Sequence, residues 1–204
     1  MDTNTTKDRI LERAMEKFMG VGFSKVSVDE LVEDLGISKK TFYKYYASKE
    51  ELIGQVIDRT VLKIRSGVAN IVSADADFVM KLNMLLEFLG RTLLQFSRPF
   101  LEDLRRNFPD LWKRIEEMRR DTILKNFSNL FSQGAREGVF REDVNQQVLL
   151  LTFLSAVEGV INPLVLTQAA FSADQALHSI MNIIYEGVLT NEAREHYRSV
   201  HGTR

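Results

Sequence analysis

Helix breakers are scarce in this chain, and that scarcity restricts the fold more than any other feature. Eleven Gly and three Pro in 204 residues fall well below an average combined usage of ~12%. No alternating apolar and polar run bounded by turn residues marks a strand. The expected fold class is all-α, and the length suffices for one sizeable helical domain or for a small one joined to a larger.

Apolar spacing and capping residues place the first helices. Ile10, Leu11, Ala14, Met15 and Phe18 recur at helical intervals until Gly20 and Gly22 interrupt them. Ser27 stands as an N-cap with Glu30 as its capping-box partner, and Val28, Leu31, Val32 and Leu35 give the second helix its apolar face. Gly36 ends that helix, Ile37 plugs the turn, and Ser38 caps a third helix through "KKTFYKYY", residues 39–46. Helix, tight Gly turn, helix is the spacing of a helix-turn-helix. Ser48 and Glu51 form another capping box, opening a long fourth helix past Leu52, Val56, Ile57 and Ile64 toward Ser73, with Ser66 and Gly67 able to kink it. Further helices are expected at 76–97, 99–107, 109–136, 143–168 and 173–190, with Pro99 and Pro109 at helix starts and Gly138 at a stop. The last dozen residues are polar and read as a frayed tail.

The octapeptide "KKTFYKYY" carries three of the five tyrosines and three lysines. On a helical wheel Phe42 and Tyr46 share one face and are assigned to the core, with Ile37 behind them. Lys39 with Tyr43, and Lys40 with Lys44, form two ridges turned away from that core. No acid occurs from Gly36 through Lys49, which makes a positive stripe in a chain of formal net charge -1. A recognition helix in a major groove needs short or flexible polar groups in its first turn with phosphate anchors around them. Lys39, Lys40, Thr41, Tyr43 and Lys44 have those types at those positions.

Residues 9–52, "RILERAMEKFMGVGFSKVSVDELVEDLGISKKTFYKYYASKEEL", resemble the N-terminal DNA-binding region of the TetR family of bacterial transcriptional regulators. The Gly-apolar-Ser-Lys-x-Thr-apolar-Tyr-x-Tyr-aromatic-x-Ser-Lys-Glu run is nearly complete. The resemblance implies a three-helix DNA-binding domain at 1–50, joined through the fourth helix to a larger ligand-binding and dimerisation domain at 51–204. It implies that Ser27 caps the second helix and touches a phosphate beside Val28, and that Ser38, Lys39, Lys40 and Thr41 lie at the groove. Tyr43 would bind backbone, Lys44 and Tyr45 base edges or phosphates, and Lys49 a phosphate. Lys40 departs from a position that in the family is often Gly or Ala, which leaves the operator hard to infer by analogy.

The same resemblance implies a homodimer through the helices at 143–168 and 173–190, a pseudo-palindromic double-stranded DNA operator, and a small effector among the central helices. The two late helices are apolar on more than one side, which fits such a role. Aromatics and isolated polar groups on apolar helices nominate Phe88, Arg91, Phe96, Trp112, Phe127, Phe131, Glu158 and Asn162 as effector contacts. The expected function is a cytoplasmic, ligand-responsive regulator, a repressor released from its operator by a small, substantially apolar molecule. The competing reading is a helical ligand-binding or scaffold protein that no longer reads a specific DNA site.

Other classes find little support. The histidines are His178, His196 and His201, and there is no His-Glu-x-x-His, Gly-rich phosphate loop or nucleophile elbow, so neither an enzyme nor a cofactor is expected. Without cysteine there is no disulfide or thiolate site. Residues 148–166 are the most apolar stretch, yet Glu158 and Asn162-Pro163 interrupt it before the roughly 18–20 residues that a span requires. No membrane association or exported leader is expected.

Overall fold

The computed structural model describes residues 6–200, without the side chain of Val200. These form α1 (Thr6–Val21), α2 (Val28–Leu35), α3 (Lys39–Tyr45), α4 (Lys49–Val72), α5 (Phe78–Leu93), α6 (Arg98–Asn107), α7 (Pro109–Thr122), α8 (Ser128–Arg136), α9 (Gln146–Val160), α10 (Pro163–Leu166), α11 (Ala173–Val188) and α12 (Asn191–Val200). A π-helical turn, Ile123–Phe127, joins α7 to α8 without a break in the helix. Among the described residues the only bridge pairing is an isolated one between Phe140 and Leu189. The chain is all-α, as its shortage of breakers and strand signals requires.

Two compact units emerge. The first takes Met1–Lys63 together with Gln95–Arg114, the second Ile64–Leu94 together with Ile115–Arg204. The expected boundary after residue 50 therefore falls inside the first turn of α4, and α6 groups with the N-terminal helices. The reason is packing between distant parts of the sequence. The buried Phe23 ring lies 5.0 Å from Phe100 and 5.3 Å from Phe108. Asp103 accepts hydrogen bonds from the Ser24 amide at 2.8 Å and the Ser24 hydroxyl at 2.6 Å, and Asn107 donates to both Ser24 Oγ and Asp103. Gly22 makes this approach possible. Its φ is +90°, and a Cβ there would stand 2.6 Å from Asp103 Oδ2 and 3.0 Å from the Pro99 carbonyl oxygen.

Local signals explain the first unit well. Ile10, Ala14, Phe18, Leu31, Phe42, Tyr46, Leu52 and Val56 are buried together in its core. Ser27 Oγ accepts from the Glu30 amide as expected, but the Glu30 carboxylate does not close the box; it pairs with Lys17 of α1. An ammonium within reach offers that carboxylate a charge-assisted bond, stronger than a neutral amide can. Ser48 caps α4 through the Glu51 amide, and the Glu51 carboxylate accepts from Ala47 N at 2.7 Å.

The second unit departs from the sequence-based expectations in three places. The helix expected at 143–168 is broken: Ile161 leaves helical geometry, and Asn162 caps the short α10 by accepting from the Val165 amide. Pro163 cannot donate the bond that would continue α9, so it serves as a first helical residue instead. The tail is ordered as α12 through Val200, tied down by buried Ala193 and Tyr197; His201 lies outside the described residues. Gly67 sits within an uninterrupted α4 and makes room for Phe88, since a Cβ there would lie 2.1 Å from the ring. The core of this unit is aromatic. Phe127 lies 4.6 Å from Phe153, and Phe140 lies 5.1 Å from Phe78 and 6.0 Å from Phe131.

Candidate nucleic-acid interface

The turn between α2 and α3 is built from backbone geometry that the sequence encodes locally. Gly36 adopts the left-handed conformation at φ 63°, donating to Glu33 O, and Ile37 N–H donates to Val32 O at 3.0 Å. Ser38 then turns in extended geometry, its Oγ accepting from the Thr41 amide at 3.1 Å. α3 is fastened from one side. Phe42 is fully buried and Tyr46 is 1% exposed, with its hydroxyl donating to Lys7 O at 3.2 Å. Burial pushes the Tyr46 phenol up to about 12.

The opposite side is solvent-facing. Lys39, Lys40 and Lys44 are exposed and Tyr43 is 51% exposed. Tyr45 is half-buried, with the Lys44 ammonium 5.7 Å above its ring. Thr41 is half-buried, its hydroxyl 2.9 Å from Ser38 Oγ, and Lys49 is half-buried in the first turn of α4. Ser27 is exposed and Val28 half-buried at the start of α2.

Charge is sorted across this unit. α2 carries four acids, and two of them turn toward α1: Asp34 binds Arg13 at 2.8 Å and Lys17 at 2.7 Å, while Glu30 binds Lys17. The Lys17 hydrogen bond is the largest influence holding the Asp34 carboxyl below its ordinary range. Asp29 turns the other way, to Lys39 Nζ at 2.6 Å. That bond raises the Lys39 ammonium above its ordinary value, and it brings the start of α2 beside the start of α3. Sequence reading missed Asp29 because it searched α3 for cations and not α2 for the acid facing them.

A face of cations and rings on the second helix of a helix-turn-helix is suited to phosphate and base-edge contact in a major groove. Residues 10–56 match the family model of bacterial regulatory proteins, tetR family. The chain belongs to the TetR family. Among similar TetR-family sequences, an uncharacterized helix-turn-helix transcriptional regulator, YvaF of Bacillus subtilis, is 22% identical over 187 residues, covering 90% of this chain and 96% of its own. EthR of Mycolicibacterium smegmatis is 40% identical over 52 residues, 26% of this chain and 24% of its own. A transcriptional regulator from Cytophaga hutchinsonii shares the fold with a TM-score of 0.67 at 19% identity, covering 89% of this chain and 97% of the other. This TetR-family chain is a DNA-binding transcriptional regulator, and no helix among its described residues is long and apolar enough to cross a membrane.

The eight nominated effector contacts are divided between the two units and have different local surroundings. Phe96 and Trp112 belong to the first unit, where Phe96 stacks on Phe100 at 5.2 Å. Arg91 is 76% exposed and pairs with Glu87 one turn back, so it faces solvent. Phe127 and Phe131 are buried in the aromatic core of the second unit, and Phe88 is half-buried against Gly67. Glu158 pairs with Arg120 at 2.8 Å, and Asn162 is committed to its cap, donating to Glu158 O and Gly159 O. Two polar groups that sequence reading passed over lie deeper. Tyr185 Oη on α11 and both amide atoms of Asn83 on α5 are buried without a hydrogen-bond partner among the described residues. Burial also pushes the Tyr185 phenol well above its ordinary value. Each sits amid apolar spacing on its helix, which hid it.

Proposed function

We propose that this TetR-family regulator acts in the cytoplasm as a homodimeric repressor, released from a pseudo-palindromic operator by a small, substantially apolar effector. The observation that carries the DNA half is the two-sided α3, anchored by Phe42 and Tyr46 and presenting Lys39, Lys40, Tyr43 and Lys44 outward. In this reading Ser38 and Thr41 pack the helix start against the groove, Lys44 and Tyr45 reach base edges, and Ser27, Val28 and Lys49 abut the phosphate backbone. The DNA-reading part is residues 1–50, and 51–204 serve effector binding and dimerisation.

Dimerisation through α9 and α11 is supported by large apolar side chains left exposed on both: Val148 at 59%, Leu151 at 50% and Ile183 at 75%. In this reading the aromatic interior around Phe127 and Phe131 takes the apolar effector, with Phe88, Glu158, Asn83 and Tyr185 as further contacts. Binding of such a molecule changes operator affinity only by as much as it prefers one dimer conformation over the other.

Binding to genomic fragments across salt tests the DNA half. Discrete sites should be enriched, with affinity falling steeply as salt rises. Lys49→Ala should weaken all duplexes alike, whereas Lys44→Ala should also relax preference at a base position by about 1–3 kcal/mol. A flat salt response with no enriched site returns the chain to a ligand-binding or scaffold role. Native mass spectrometry of the purified protein tests the other half, through a co-purified small molecule and its effect on the operator complex.

A further inference from the structure

We infer that Asp29 is a specificity-determining residue, which masks and aims Lys39 so that the recognition helix discriminates against non-operator DNA. The inference rests on α3 being the DNA-contacting helix. Asp29 lies in the first turn of α2, is itself 66% exposed, and bonds Lys39 Nζ at 2.6 Å across the helix-turn-helix. Its neighbours Glu30 and Asp34 are neutralised on α1 by Lys17 and Arg13, so Asp29 is the α2 acid bonded to the recognition helix. No acid lies between Gly36 and Lys49 to do the same from within α3 or its flanks.

Two consequences follow from the physics of DNA binding. Non-specific affinity comes from cations displacing condensed counterions on phosphates. A lysine already bonded to a carboxylate, with that carboxylate facing the same polyanion, contributes less of this attraction. A lysine stem is otherwise free to sample many rotamers, and the bond to Asp29 fixes where its ammonium points. On the operator the aimed Lys39 retains its use at the groove; on other sequences it is withheld from the backbone. The acid therefore lowers affinity for all DNA, but least for the correct site.

The test uses the full chain and two duplexes: one that wild type enriches from sheared genomic DNA, and one of random sequence. Wild type, Asp29→Asn, Asp29→Ser, Lys39→Gln and Asp29→Asn with Lys39→Gln are titrated from about 50 to 200 mM salt. Both Asp29 variants should bind the random duplex about fivefold more tightly, with a salt dependence steeper by about one ion. The operator-to-random ratio should fall by at least about threefold. In the Lys39→Gln background the Asn substitution should move that ratio by less than about 1.5-fold. An unchanged or increased ratio overturns the inference while leaving the DNA reading intact, as does an equal fall in the Lys39→Gln background. Failure of wild type to enrich any discrete site removes the DNA reading and this inference with it.

Discussion

The two compact units contain helices of similar kind, yet they are specified differently. In the first, the elements that present α3 are fixed by residues a few positions apart: Ser27 on Glu30 N, Gly36 on Glu33 O, Ser38 on Thr41 N, Ser48 on Glu51 N. In the second, rings far apart in sequence decide the packing, as Phe127 on Phe153 and Phe78 on Phe140 and Tyr185. A reading head that must present one geometry to DNA gains from locally encoded turns. A core assembled from rings far apart in sequence depends instead on the packing of the whole unit.

The largest effects should separate the units by consequence. Phe42→Ala should cost ~3–5 kcal/mol through the cavity it leaves, and DNA binding should vanish with it. Phe131→Ala, equally buried, should cost as much in chemical denaturation, while its folded fraction still binds the operator. Equal loss of operator affinity per folded molecule in both variants would break the distinction between reading head and aromatic core.

Gly22→Ala should be next, at about 1–3 kcal/mol for the strained φ alone, with further loss as Asp103 and Pro99 are displaced. A thermal melt unchanged by this substitution would mean that α6 is not fastened to the α1–α2 turn. In the second unit Asn162→Ala should cost about 1 kcal/mol by uncapping α10 and leave operator affinity untouched. A change in effector response without a change in melting would instead give Asn162 a ligand role.

At neutral pH the smallest effect is that of the Tyr46 phenol, which is felt only in alkali. With the Tyr46 phenol at about 12 when folded against ~10 for free tyrosine, the stability from burying the neutral ring is complete below pH ~10 and is lost as pH climbs toward 12. Tyr46→Phe should flatten that part of the stability profile, and a profile with the wild-type slope would place the titration elsewhere.

Much of the first unit was legible because capping, glycine turns and helical spacing act over three or four residues. The core pair Phe42 and Tyr46 and the exposed lysines followed from a helical wheel alone. What escaped was long-range. Nothing near Ser24 announces Asp103, 79 positions away, so the fastening of α6 to the α1–α2 turn is not visible locally. The bond of Asp29 to Lys39 spans a turn whose two helices were each read separately. Effector contacts are not separable by spacing, since an aromatic at helical spacing looks the same whether it stacks on Phe100, as Phe96 does, or lines a core. Arg91 has a glutamate one turn back, a pairing visible in sequence as Glu87-x-x-x-Arg91.

The π turn at Ile123–Phe127 bears on how such chains are compared. It carries about one residue more than the α-helical turns beside it, and one residue in an α-helix corresponds to about 100° of rotation. The helix before it and the helix after it therefore run in different phases. Against a relative whose helix is uninterrupted here, a one-residue gap belongs within 123–127. Without that gap, either the stretch through Arg119 or the stretch through Phe131 is matched to the wrong side of its counterpart, and residue-by-residue transfer across this helix misassigns core and surface.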